Sequence, residues 1–279
     1  MTWGNNLPGV HFLLSLVEPG DAAVVRRRLG IGKPERHVYS RAAQELQRLG
    51  APRSVWLWVL EEDEPRTRGL VFHHSGTPDA LKNDILRGRP FGRGETWLPM
   101  AEHCVDAFCS HETREIPVGP NGMIGELRAA RTMGTARIAV RSVTSEDWAE
   151  VAAADEAEPL PGYARWALTE RIDCPARVRT QFGSHPKFAH RLRQAGIVEL
   201  VQYVETTRPP HAVLGVLHFG RLLFPRRLEE AVAVLSPLVR SELGADPDAW
   251  AVLAQLLPTF AGTVPELVRT SGAIAHAGR

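Results

Sequence analysis

The sequence predicts a mainly α-helical chain, built from short helices that begin at prolines and stack as an irregular array. Apolar residues recur at helical spacing, most clearly at Ala231, Val232, Leu235, Leu238 and Val239. Glycine, proline and aspartate interrupt the apolar segments at short intervals, which is typical of neighbouring helices joined by short connections. These two observations define the fold class.

Prolines mark several of the predicted helix starts. Thr77-Pro78-Asp79 supplies a capping side chain, a first-turn proline and a carboxylate near the positive end of the helix dipole. Asp246-Pro247-Asp248 repeats this arrangement, and Phe224-Pro225 opens the longest periodic segment. Gly244 follows that segment where a helix should end, and Ser236-Pro237 is expected to kink or split it.

Most of the C-terminal half is predicted to be helical. The predicted helices there are Asn121–Met133, Glu146–Asp155, Gly162–Glu170, Pro175–Gly183, Pro186–Ala195, Ile197–Glu205, Ala212–Leu223, Pro247–Leu257 and Pro265–Ala275. In the N-terminal half, Asp21–Leu29 and Ser40–Leu49 also have helical patterns, and Gly50 ends the second of them.

Residues 54–72 allow two interpretations. Ser54–Leu60 is apolar on every side, and it is either a buried helix or a buried strand because periodicity cannot separate the two. Leu70–Phe72 follows across a turn that contains proline and glycine. A small β-hairpin is therefore the alternative to helix in this segment.

Composition places the chain among globular proteins. Its 279 residues suffice for one large domain or two ordinary ones. The Gly/Pro-rich loop 111–122 predicts a boundary between residues 1–118 and an all-helical part, residues 119–279. A net charge of +1 creates no global attraction to nucleic acid or membrane. Three cysteines, with no signal-like or membrane-length apolar segment in the sequence, predict a soluble cytoplasmic protein.

Two segments of the chain have the same pattern: an apolar helix end, a polar turn, a proline, and apolar residues three and seven positions later. Overlaying Pro78 on Pro175 aligns Leu81 with Val178, Lys82 with Arg179, Ile85 with Phe182, and Phe91 with Phe188. Weaker forms of the pattern occur at Pro247 and Pro265.

This pattern resembles the leucine-rich-repeat-variant and HEAT-like helical repeats, whose units open with a Pro-x-x-apolar helix. The spacings of 97, 72 and 18 residues between successive prolines depart from the short, fixed period of those families. The resemblance implies a helical-repeat-like stack whose concave face binds a partner. It therefore implies a non-enzymatic protein-interaction module with another protein as partner.

One cluster of potential metal ligands consists of His103, Cys104, Cys109 and His111. Two Cys and two His would suit zinc, but the adjacent His103 and Cys104 cannot easily face one metal, and the spacing matches no usual finger. We predict no metal and no cofactor. Sequence motifs for nucleophilic catalysis and for phosphate-binding loops are also missing, so no catalytic residue is assigned and enzymatic activity stays open.

The main alternative function is DNA binding by a basic segment, residues 163–197. Two predicted helices near Pro175 and Pro186 could form a helix-turn-helix whose basic side chains contact phosphate. The candidate partner or phosphate surface consists of Arg177, Arg179, Lys187, Arg191 and Arg193. The competing interpretation is a solvated basic face, because DNA-binding domains usually have a larger overall basic excess.

Overall fold

The computed structural model of the chain describes residues 7–34, 37–92, 110–183 and 186–278, apart from the side chain of Lys187. Within these ranges the chain forms α-helices and one short 3-10 helix, with no strand. The predicted mainly α fold of short helices is confirmed. No helix within these ranges is both long and apolar enough to cross a membrane.

The chain packs as two compact units, and one of them is inserted into the other in chain order. Unit 1 contains residues Met1–Ala51 and Val198–Arg279, and unit 2 contains residues Pro52–Ile197. The boundary predicted near residue 118 falls inside unit 2. A side-chain hydrogen bond from Arg89 to Ser145 joins the two sides of that predicted boundary.

Unit 1 is organised around one long buried helix. Its helices are α1 (Leu7–Leu14), α2 (Pro19–Leu29), α3 (Tyr39–Arg48), α13 (Leu200–Thr206), α14 (Pro210–Leu223), α15 (Pro225–Glu242), α16 (Pro247–Leu256) and α17 (Val264–Ala277). Helix α14 is buried continuously from Val213 to Gly220 and packs against α1, α3, α15 and α17. A β-carbon at Gly9 would lie 2.9 Å from Cβ of Leu214, so glycine permits the close approach of α1 to α14.

The apolar stripe predicted after Phe224 lies on α15, where Leu228, Ala231, Leu235 and Val239 are buried. Pro237 does not split this helix, which continues to Glu242. Because Pro237 lies at an exposed position, water can satisfy the carbonyl that lacks its helical donor.

Unit 2 is built from shorter helices. They are α4 (Ser54–Leu60), α5 (Pro65–His73), α6 (Asp79–Arg87), α7 (Gly122–Ala129), α8 (Met133–Ala139), α9 (Trp148–Ala157), α10 (Gly162–Thr169), α11 (Ala176–Phe182) and α12 (Pro186–Gln194), with the 3-10 helix Val140–Ser142 after α8. Residues of α7 to α11, among them Leu127, Trp148 and Leu168, form an apolar core cluster. The single helix predicted over Asn121–Met133 is two helices, because Thr132 and Thr135 form a capping box that starts α8.

The β-hairpin alternative for residues 54–72 is wrong, because both apolar pieces are helices. A sharp turn joins α4 to α5, and Asp63 in that turn has a φ of 52°. The Asp63 carboxylate accepts a 2.7 Å hydrogen bond from Nη2 of Arg68, whose side chain is completely buried. This ion pair holds α5 against the turn, and Pro65 provides a favourable first helical residue.

The two segments overlaid in the sequence have similar local structure. Pro78 and Pro175 precede α6 and α11 with nearly equal backbone angles (φ −62°, ψ 149° and φ −59°, ψ 141°). Leu81 and Val178, which the overlay pairs, are both fully buried. This local likeness leaves the resemblance to repeat families a prediction.

The capping box at the start of α17 gives a direct test of helix stability. Thr263 Oγ1 accepts from the amide of Glu266, and the Glu266 carboxylate accepts from the amide of Thr263 at 2.7 Å. Thr263→Ala should lower the free energy of unfolding by about 1 kcal/mol, measured by urea denaturation, because a backbone donor loses its partner. Thr206→Ala, on an exposed residue at the end of α13, is the control and should change it by less than about 0.5 kcal/mol. Equal losses in the two variants would contradict the capping role.

Candidate functional site

A cavity of about 620 Å³ in unit 2 has a clear charge pattern. We call it the basic pocket. Its lining residues are Arg53, Ser75, Gly76, Thr77, Pro78, Asp79, Lys82, Arg114, Ile116, Pro117, Arg137, Val140, Arg141, Ala167, Glu170 and Arg171. Six of these side chains are cationic and two are carboxylates, so the pocket has a local positive excess although the whole chain is nearly neutral.

The turn that precedes α6 forms one wall of the basic pocket. Thr77 donates its hydroxyl to the carbonyl of Val71 at 2.6 Å, and its amide donates to the carbonyl of His74 at 3.1 Å. The predicted cap of α6 by Thr77 is therefore wrong, since this hydroxyl fixes the turn to α5. No side chain caps α6, and its positive N-terminal end faces the pocket at Asp79.

Three of the cations in the pocket lining have carboxylate partners. Arg114 pairs with Asp79 at 2.7 Å, and both side chains are about half exposed. Arg137 pairs with Glu170 at 3.2 Å. Both carboxylates of the lining are thus engaged by arginines, which leaves the pocket with cationic groups and no unpaired acid in its described lining.

Arg171, the third paired cation, forms a buried part of the pocket wall. Its Nη2 donates to Oδ2 of Asp173 at 2.5 Å, and its Nη1 donates to the carbonyls of Val140 and Val143. Burial alone would lower the pKa of Arg171, but the Asp173 carboxylate outweighs it and the pKa is raised. Arg171 is therefore a charged structural residue that fixes the 3-10 helix beside the pocket.

The other three cations of the lining are Arg53, Lys82 and Arg141, which we call the uncompensated cations. None of them forms an ion pair with a carboxylate in the described part of the chain. The ammonium of Lys82 lies 5.8 Å from the ring centroid of Phe72. Burial lowers the pKa of His74, and the charges of Lys82 and Arg53 lower it further, so both cations lie close enough to this ring to act on it.

The surface predicted from the basic segment lies outside this pocket lining. Arg177 on α11 and Arg193 on α12 are exposed. Arg179 donates to the carbonyl of Arg171 at 3.0 Å, and the guanidinium of Arg191 lies 4.1 Å from the ring centroid of Trp166. Two of the predicted contact residues are thus engaged within unit 2, and the side chain of Lys187 lies outside the described part.

In the cluster of potential metal ligands, His103, Cys104 and Cys109 lie outside the described residues. Within the described ranges, no group of three or more His, Cys, Asp or Glu side chains could hold a metal ion. The remaining cysteine, Cys174, is buried, and burial raises the pKa of its thiol to about 12. It packs in the core of unit 2 as a small apolar residue.

A second polar group that sequence analysis missed is a histidine cluster in unit 1, formed by His11, His37 and His218. The Nε2 atoms of His37 and His218 are 3.4 Å apart, and the ring centroids of His11 and His218 are 6.3 Å apart. The Nδ1 atoms of all three rings are buried without a hydrogen-bond partner. These residues line a cavity of about 300 Å³ together with Lys33 and Arg41.

The placement of protons favours a hydrogen-bonded pair over a metal site in the histidine cluster. If the Nε2–H of one ring donates to Nε2 of the other in the His37–His218 pair, only the accepting ring has its proton on Nδ1, where it lacks an acceptor. If both Nε2 atoms bound a metal, both rings would have an unpaired Nδ1–H. Metal-bound histidines normally donate that group to a partner, so the donor set does not fit a metal.

Comparison with known protein families, with curated proteins and with solved structures finds no significant match for this chain. The function therefore has to be inferred from the chemistry of the pocket and the surfaces themselves.

The histidine cluster predicts acid sensitivity. Burial is the main cause that lowers the pKa of His218 to about 4, and burial also lowers the pKa of His11. Between the ordinary histidine pKa and pH 4, the unfolded chain binds protons that the folded chain does not, so stability falls as the pH falls. From pH 7 to pH 5, His218 should contribute a loss of about 1–2 kcal/mol in the free energy of unfolding, measured with urea.

His218→Gln should flatten this pH dependence because glutamine does not titrate. His190→Gln, at an exposed position on α12, should keep the dependence of the unmodified chain. If His218→Gln has the same slope between pH 7 and pH 5 as the unmodified chain, the buried imidazole does not govern the acid response.

Proposed function

We propose that the chain is a non-enzymatic interaction protein and that an acidic segment of a protein partner binds at the mouth of the basic pocket. The observation that supports this function is the local positive excess of the pocket lining. Both carboxylates of the lining are held by arginines. The groups that remain are cations and small apolar surfaces, which suit binding better than acid–base catalysis.

Two exposed apolar side chains next to the pocket support a protein partner. Ile138 is 67% exposed and Val118 is 55% exposed, and we call this pair the apolar rim. Ile138 follows Arg137, and Val118 follows Pro117, and both of these neighbours line the pocket. Protein interfaces combine apolar contacts with arginine and use little lysine, which is the composition found here.

The interaction can be tested with a display library of short random peptides selected against the full chain. Selected peptides should combine Asp or Glu with apolar residues, and their binding should weaken as salt increases. Ile138→Asp should lower the affinity of these peptides at least about tenfold, because it places a carboxylate against an acidic ligand and removes an apolar contact.

Ile274→Asp is the matched control, since Ile274 is 48% exposed on α17 of unit 1 and should have no effect on peptide binding. Selection of neutral peptides, or peptide binding that Ile138→Asp leaves unchanged, would contradict the proposed function.

DNA binding by residues 163–197 is the second candidate function. It is favoured by Arg177 and Arg193, which are exposed on α11 and α12 and form no ion pair with a carboxylate of the described residues. It is weakened by Arg179 and Arg191, whose guanidinium groups already contact a carbonyl and an indole ring. We therefore place it behind the protein-interaction function.

Duplex binding at two salt concentrations separates the two functions. The unmodified chain should bind duplex DNA with a Kd no tighter than about 10⁻⁶–10⁻⁴ M at physiological salt, the range of non-specific binding. The comparison is a variant with Ala in place of Arg177, Lys187, Arg191 and Arg193. Nanomolar, sequence-selective binding that is lost in this variant would make DNA binding the function.

A further inference from the structure

We propose that the basic pocket binds a phosphate monoester carried by a small organic molecule, held by Arg53, Lys82 and Arg141. This site goes beyond the proposed protein interaction, which uses the apolar rim at the mouth of the pocket. It concerns the uncompensated cations that line the cavity itself.

The charge of the lining favours a dianion. After Asp79, Glu170 and Asp173 are assigned to their arginine partners, three cations of the lining have no partner among the described carboxylates. Like charges that line one cavity repel each other, and a bound anion relieves that repulsion. A phosphate monoester has a charge of about −1.5 to −2 near neutral pH and three strong acceptor oxygens. A single carboxylate offers less charge and fewer acceptors.

The donors of the pocket match phosphate in kind as well as in charge. Arg53 and Arg141 provide planar guanidinium groups that can donate two parallel hydrogen bonds, and Lys82 adds a compact ammonium group. The N-terminus of the nine-residue helix α6 lies in the same wall and has no side-chain cap. The positive end of its dipole adds to the attraction that the three cations already exert on an anion.

The size and the apolar part of the lining indicate an organic ligand. A cavity of about 620 Å³ lies within the usual range for small-molecule sites and is much larger than one phosphate group needs. Ile116, Pro117, Val140 and Ala167 supply apolar surface in the same lining. They can contact the body of a molecule whose phosphate is held by the cations.

The site can be tested by isothermal titration of the full chain at low salt with adenosine monophosphate as the probe. Adenosine, which lacks the phosphate, is the matched comparison. Inorganic phosphate and a phosphoserine peptide are titrated in the same way, to identify what carries the phosphate. Adenosine monophosphate should bind with one site per chain and adenosine should not. Replacement of Arg53 or Arg141 by Ala should each lower the affinity at least about tenfold, because each removes a charge-assisted contact.

Two further variants distinguish the phosphate site from the neighbouring surfaces of unit 2. Arg177→Ala removes an exposed arginine of unit 2 outside the pocket lining and should leave phosphate binding unchanged. Ile138→Asp tests the apolar rim. If this variant loses peptide binding and still binds adenosine monophosphate, the two proposed sites are separate and both proposals are supported. Arg53 and Arg141 form no described ion pair, and unchanged urea midpoints in their variants would show that the fold is intact.

Three outcomes would overturn the phosphate site: equal binding of adenosine and adenosine monophosphate, full binding by the Arg53→Ala/Arg141→Ala double variant, or dissociation constants weaker than about 1 mM for every phosphate compound. Binding of the phosphoserine peptide alone would overturn the small-molecule ligand and assign the phosphate to a phosphorylated partner protein. Binding of inorganic phosphate equal to that of adenosine monophosphate would overturn the organic ligand.

Discussion

The ion pair of Arg171 with Asp173 holds together the part of unit 2 that carries the pocket. The guanidinium is almost completely buried, and it donates to one carboxylate and to two backbone carbonyls of the chain around the 3-10 helix. Removing one partner of a buried pair usually costs about 3–5 kcal/mol, since the other charge stays buried without compensation. This constraint sets the position of Val140 and Arg141, and hence one wall of the basic pocket.

The cations around that wall fall into two groups, those with a carboxylate partner and those without one. Arginines with a carboxylate partner have structural roles: Arg137 on α8 pairs with Glu170 at the end of α10, and Arg171 joins the loop after α10 to the chain around the 3-10 helix. Arginines and a lysine without such a partner lie in the same lining and have their charge available for a ligand. Because the whole chain is nearly neutral, the attraction of this lining for an anion comes from the local excess of positive charge and not from the net charge of the protein.

In unit 1, the helix that forms the core also buries ionisable side chains. Helix α14 is buried along most of its length, and this burial takes His218 into the core beside His11 and His37. The apolar contacts of α14 stabilise unit 1 at neutral pH, where the buried imidazoles of His11 and His218 are uncharged. At lower pH the same burial opposes protonation, so the packing that forms the unit also makes it sensitive to acid.

The sequence alone determined the helical class, because apolar spacing and proline or glycine at helix ends act within a few residues. Asp246 caps α16 as predicted, with its carboxylate accepting from the amide of Asp248, and Gly244 follows the end of α15 as predicted. For Ser54–Leu60, periodicity could not distinguish helix from strand. This segment is apolar on every side, and in the folded chain it packs as a buried helix. The division at residues 51 and 198 was decided by tertiary contacts, since no composition change marks it.

The basic pocket was decided by tertiary structure as well. Arg53, Lys82 and Arg141 are far apart in the chain, and in the sequence each one resembles any other solvated cation of an arginine-rich protein. Which cations find a carboxylate and which do not depends on distances across helices, and local sequence patterns do not encode those distances. The sequence determined the helices and their caps because those interactions are local, while the folded chain determined where charge is left uncompensated.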